Sequence, residues 1–175
     1  FRAEPPEGTR LIIALTGSEE VGVRGMIRFI DEYGPRLEPE TASFINLDNL
    51  GGGKLRYLLN EGMIKNYRND PDLVALAKSM AADLPPGRLT PQGRLLMYTD
   101  GIISSRRGYK VITFISLNEK GRIPDYHWHS DCIENVDKEL LEFEEGFIWA
   151  YSQAVVARDP SVRTSSLQKR SLQKM

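Results

Sequence analysis

Residues 11–17 (LIIALTG) form a short, continuously apolar run that ends in glycine, and the residues after it switch to helical spacing. A strand that alternates apolar and polar side chains can leave one face in water, whereas a strand that is apolar throughout needs cover on both. Val23, Met26, Ile27 and Ile30 then recur every three or four residues. Ser18 stands where it can cap the helix, and Gly34–Pro35 stops it. Such a strand–turn–helix unit restricts the chain to folds in which helices pack on the faces of a sheet.

The pattern continues. SFINLDNL (43–50) reads as a second buried strand, Gly51, Gly52 and Gly53 as a turn, and KLRYLLNEG as a strand with partial alternation. Asp70–Pro71 opens a helix that runs to about Leu84, with Leu73, Leu76, Ala77 and Met80 on its apolar face; Pro85, Pro86 and Gly87 end it. MYTD (97–100) reads as a brief strand or strand end, GIISSRRG as a short helix or loop, and YKVITFISL (109–117) as a strong strand. A long polar loop (118–136) carries both histidines. From Asp137 to about Arg158 an amphipathic helix presents Leu140, Leu141, Phe147, Ile148, Tyr151 and Val155. The expectation is an α/β fold, a three-layer sandwich with a mostly parallel central sheet, over residues 1–158. Residues 1–10 read as a polar leading loop. Residues 159–175 are basic, repeat SLQK and carry no core-forming pattern, so a disordered tail is expected there.

Bulk properties narrow the partners. The 175 residues suit one ordinary domain. With 23 basic and 24 acidic side chains mixed along the chain, nothing points to nucleic acid. Cys132 alone excludes an intrachain disulfide framework, and no apolar run approaches the ~20 residues that span a bilayer. The sequence opens on Phe1 and shows no signal peptide, so an upstream piece is expected to have been removed or left out.

In α/β folds ligands bind beyond the carboxyl ends of the strands. Glu19 and Glu20 follow the first apolar run, Asp48 lies near the end of the second, Asp100 ends MYTD, and His127 sits in the loop after the last strand. Oxygen and nitrogen donors without thiolate suit a catalytic zinc site with an open position. Of two adjacent glutamates, one can bind metal while its neighbour takes a proton from water. Each residue also has a plainer reading. Glu19 and Glu20 suit the positive end of a helix dipole, and Asp48-Asn49 and Asp100-Gly101 are ordinary turn dipeptides. A histidine in a polar loop, His127 or His129, can simply be solvated.

Order and spacing tilt the balance. GSEEVGVRG after an apolar run, then INLDNLGG, then PDYHWHSDCIENVD before a terminal helix, resembles the dinuclear zinc aminopeptidase family. That family takes in bacterial leucyl aminopeptidases and glutamate carboxypeptidase-like enzymes, and glutaminyl cyclases share its fold. The resemblance covers roughly residues 9–158 and also includes TDGIISSRRGYKV, although Lys110 stands where the family usually has proline. It implies Glu19 as general base, Glu20 and His127 as ligands of one zinc, Asp48 as a ligand of a second, and Asp100 as a substrate-side acid. His129 lies outside the common pattern. The implied activity is metal-assisted hydrolysis of N-terminal residues from peptides. Relatives are often secreted or face outward, and a homo-oligomer is compatible with the fold.

The resemblance also implies a His-x-Asp element and a bridging aspartate upstream of the Glu-Glu turn. Here only ten residues precede the first apolar run, and both histidines lie downstream. The N-terminal strands of the family sheet are accordingly expected to be missing. The chain alone is expected to be incomplete and inactive, with the full-length product a peptidase. Two other readings stay open on the same fold: a glutaminyl-cyclase-like acyltransferase, and a non-catalytic binding or dimerisation module. No Gly-x-Ser-x-Gly elbow or phosphate-binding Gly-rich loop supports other α/β chemistries.

Overall fold

The computed structural model describes residues 8–158; the basic tail and the start of the leading loop lie outside the described residues. Five strands form one open sheet: β1 (Ser43–Asp48), β2 (Lys54–Glu61), β3 (Tyr67–Arg68), β4 (Leu89–Leu95) and β5 (Lys110–Leu117). β1 runs parallel to β5, and β2 runs parallel to β4, with six residue pairs in each ladder. β2 pairs antiparallel with β5 over four residues and with β3 over two, so parallel pairing predominates. The fold is open α/β, as its sequence pattern requires.

Helices cover both faces. On one, α2 (Pro71–Ala81) and α4 (Lys138–Arg158) pack Leu73, Leu76, Ala77, Phe147, Ile148 and Tyr151 against Leu55, Tyr57, Ile112 and Phe114 of the sheet. Tyr151 is fully buried, meets Phe114 edge-on, and donates its hydroxyl hydrogen to the Leu73 carbonyl at 2.7 Å. On the other face, α1 (Arg24–Tyr33) and α3 (Gly101–Arg106) bury Met26, Ile30 and Ile103 beside Phe44 and Tyr109. β5 is apolar on both sides because it lies between these layers, and its residues Val111–Leu117 are all buried. The start of α2 follows its sequence closely: Asp70 caps it, accepting from the backbone N–H groups of Asp72 and Leu73, with Pro71 in the first turn.

Four expectations need correction. Residues 11–17 are not a buried strand; they pair with no other strand among the described residues, and Leu11, Ile12, Ile13 and Leu15 are 46%, 40%, 59% and 95% exposed. A doubly covered strand takes its burial from layers on both of its faces, and among the described residues this run lacks that cover. For the same reason β1, the edge strand, is only half-buried. Ser18 does not cap α1. The helix starts at Arg24 after Val23, which sits at φ +57° with no side-chain cap. MYTD is irregular, and the strand lies earlier, at Leu89–Leu95, where Pro91 and Gly93 mask it in the sequence.

Candidate active site

The Glu19–Glu20 corner is built by backbone contacts. The N–H groups of Gly22 and Val23 both donate to the Glu19 carbonyl, at 3.0 and 2.8 Å, and Gly25 N–H donates to the Gly17 carbonyl at 3.0 Å. Gly22 takes φ +95°. At Gly25 a Cβ would fall 2.3 Å from the Gly17 oxygen, so only glycine lets α1 close against the preceding turn. The two glycines of Glu-Glu-x-Gly-x-x-Gly thus let the backbone turn tightly between the glutamates and α1.

His127 reaches this corner from the loop after β5. Its Nε2 lies 2.7 Å from Glu20 Oε1, and its ring stacks on Tyr126 with centroids 3.8 Å apart. His127 itself holds φ +61°. Tyr126, which the sequence reading left without a role, is hydrogen-bonded to Glu20. Desolvation together with the charges of Glu20, Glu19 and Asp48 raises its hydroxyl above the ordinary value. Its only sequence signal is its place directly before His127.

Asp48 is the last residue of β1, which runs parallel to β5, and His127 lies in the loop that follows β5. Desolvation and the neighbouring Asp100 carboxylate raise Asp48, while the Asn49 backbone N–H opposes them. Glu19 is raised as well, first by desolvation, then by Glu20, Asp48 and Asp100, with His127 acting in the opposite sense. Asp100 does not end a strand. It precedes α3, and its Oδ2 accepts from Thr16 Oγ1, while its Oδ1 is buried with no partner. His129 is exposed and carries no role.

The sequence-predicted residues therefore gather into one electrostatically coupled acidic cluster, in which only Glu20 and His127 touch directly. Crowding adds to desolvation in raising Glu19 and Asp48, and with an orphaned buried oxygen on Asp100 these residues form a donor set whose chemistry fits a divalent cation. The geometry fits in part. Among the described residues no three His, Cys, Asp or Glu side chains converge as a metal-holding group.

A second polar group underlies this corner. Glu61, buried at the end of β2, accepts from Thr99 Oγ1 at 2.5 Å and from Thr113 Oγ1 at 2.9 Å. Asn46 Nδ2 and the Gly101 N–H donate in turn to Thr99 Oγ1. Gly101 packs so closely here that a Cβ would lie 2.8 Å from Thr113 Oγ1. Sequence reading had no means to find this network, because its members come from four separate segments.

The open, mostly parallel sheet with helices on both faces is similar to that of aminopeptidase structures. The model of Peptidase family M28 matches residues 2–150, and the chain belongs to that family. Two solved structures share the fold. An aminopeptidase from Aneurinibacillus sp. strain AM-1 is 21% identical at a TM-score of 0.53, over 74% of this chain and 29% of its own. A zinc aminopeptidase from Bacillus subtilis is 19% identical at a TM-score of 0.55, over 78% of this chain and 34% of its own. The chain thus spans about a third of the length of either structure. A search of curated proteins returns no match. No helix among the described residues is long and apolar enough to cross a membrane.

Proposed function

We propose that the chain supplies part of the site of a zinc aminopeptidase, with Glu20 and His127 as ligands of one zinc, Asp48 as a ligand of a second, and Glu19 as the general base. The contact between Glu20 and His127, 107 residues apart in sequence, carries this reading, because it sets a carboxylate and an imidazole face to face beside a half-buried glutamate. Bound zinc would supply Lewis-acid polarisation of the scissile carbonyl. Glu19, already inclined to hold a proton, takes one from the attacking water and returns it to the leaving amine. Asp100 is the substrate-side acid of this reading, with Thr16 Oγ1 donating to its Oδ2. The described residues furnish only part of a coordination sphere, so this reading places the remaining ligands elsewhere in the complete protein or in a partner chain.

The deciding experiment offers the full-length protein leucine amide, its N-acetylated form and a peptide with N-terminal glutamine, with zinc measured in parallel. Release of leucine from the free amide alone, lost on chelation, is the expected result. Cyclisation of the glutamine peptide instead would indicate an acyltransferase, and absence of both turnover and zinc would indicate a binding module.

A further inference from the structure

The turn after Asp48 is pressed against two other elements. Asn49 takes φ +45° and Gly51 φ +75°. A Cβ on Gly51 would fall 2.8 Å from Val136 Cγ1, and one on Gly53 2.6 Å from the Leu117 backbone. Gly51 and Gly53 are therefore required by close approach, and Gly51 by its left-handed backbone as well.

What holds the turn is a carboxylate. Glu144, fully buried in the middle of α4, accepts the Gly51 N–H at 2.6 Å through Oε2, and the Ser116 hydroxyl through Oε1. The carbonyl of Ser116 accepts from Asn49 Nδ2 at 2.8 Å, and the Asp137 N–H donates to the Gly51 carbonyl at 3.0 Å. Asn49 in turn gives its own backbone N–H to the Asp48 carboxylate. A continuous relay thus runs from Glu144 through Ser116 and Asn49 to Asp48, and both peptide groups of Gly51 are tied to the terminal helix or its first residues. A leucine at position 144 would carry none of the desolvation cost of a buried carboxyl. It would leave the Gly51 N–H and the Ser116 hydroxyl without their acceptor.

We propose that Glu144 is a positioning residue for Asp48: from α4 it fixes the 49–53 turn, whose first N–H orients the Asp48 carboxylate. The proposal deepens the metal-site reading above and rests on Asp48 being a ligand. Both oxygens of Glu144 face hydrogen-bond donors, so Glu144→Gln turns an amide NH2 toward one of them at nearly constant volume.

The test measures zinc affinity by calorimetric competition, and thermal midpoint, in the full-length protein. Its variants are Glu144→Gln, Asn49→Gly, Asp48→Asn, the double variant Glu144→Gln/Asp48→Asn, and Phe147→Leu. Glu144→Gln and Asn49→Gly are expected to weaken zinc binding on the order of 10-fold, the scale seen when groups orienting a ligand are lost. The double variant is expected to be no weaker than Asp48→Asn alone, because the relay acts only through that carboxylate. Phe147→Leu, on the same helix, is expected to lower the midpoint and leave affinity intact. Glycine at 49 keeps the left-handed backbone while removing the side-chain bond, so it carries the test if the Gln variant does not fold. Unchanged affinity in both relay variants, with Asp48→Asn impaired, overturns the positioning role alone. Unchanged affinity in Asp48→Asn, or no zinc binding by the parental protein, overturns the ligand reading and the positioning role together.

Discussion

His127 Nε2 lies 2.7 Å from Glu20 Oε1, although both side chains are more than half exposed. An exposed pair of this kind contributes only about 0–1 kcal/mol to stability. Its value lies in bringing one nitrogen and one oxygen donor together. His127→Ala and Glu20→Gln are therefore expected to lower the zinc content of the full-length protein while moving its thermal midpoint little. Elemental analysis after dialysis, beside calorimetry, checks this. Full zinc content in both variants would remove the pair from the ligand set.

Glu19 presents the opposite profile. It touches no metal in the proposed reading, and crowding by Glu20, Asp48 and Asp100 adds to desolvation in favouring its protonated form. Glu19→Gln keeps the shape and removes the proton acceptor. Turnover is expected to fall roughly 10²–10⁴-fold with zinc retained. Steady-state kinetics on metal-quantified enzyme decides it, and kcat near the parental level would take the base role away from Glu19.

Much of this architecture is legible in the sequence, for identifiable reasons. β5 announces itself because a central strand between two helical layers must be apolar on both sides, and α2 because Asp70 and Pro71 satisfy the free ends of a helix. The corner at Glu19–Gly25 is readable because its glycines answer to local backbone requirements, a positive φ at Gly22 and close approach at Gly25. The apolar run at 11–17 misleads for the complementary reason: its composition records burial that depends on neighbouring strands, and no local rule says whether they are there. β4 escapes because Pro91 and Gly93 lower its propensity while pairing with β2 holds it. Glu61 and Glu144 escape too. Glu144 is one acidic residue among several nearby and Glu61 stands alone in its segment, and for both only tertiary packing tells a buried carboxyl from a solvated one.

The Tyr151 hydroxyl gives a prediction for the core on the helix face away from the site. It is buried and donates to the Leu73 carbonyl, tying α4 to α2. Tyr151→Phe keeps the ring contacts with Phe114 and Phe147 but leaves that carbonyl short of a donor. A loss of about 1–2 kcal/mol in urea unfolding is expected. Phe114→Ala, which empties the centre of the same cluster, should cost about 3–5 kcal/mol. Zinc affinity should be unaffected by Tyr151→Phe.

Glu61 makes stability depend on pH in a direction opposite to that of most paired carboxylates. Burial raises its carboxyl above the ordinary 4.5, Asp48 adds to the effect, and the hydroxyls of Thr99 and Thr113 only oppose it. Between the ordinary and the raised value the folded state holds a proton that the unfolded chain has released. Stability from this group is therefore fully present below about pH 4.5 and is lost as pH rises through the folded value. Glu61→Gln has no proton to lose. The stability of the parental protein relative to this variant, measured by urea unfolding from about pH 4 to about pH 8, should fall as pH rises and then level off. The comparison cancels the carboxylates that do not act on Glu61, and Asp48, which does, works in the same sense as burial. A difference that instead grows with pH would mean that the two threonine donors outweigh burial and hold Glu61 as a carboxylate, and the corner beneath Asp100 would then carry a fixed negative charge.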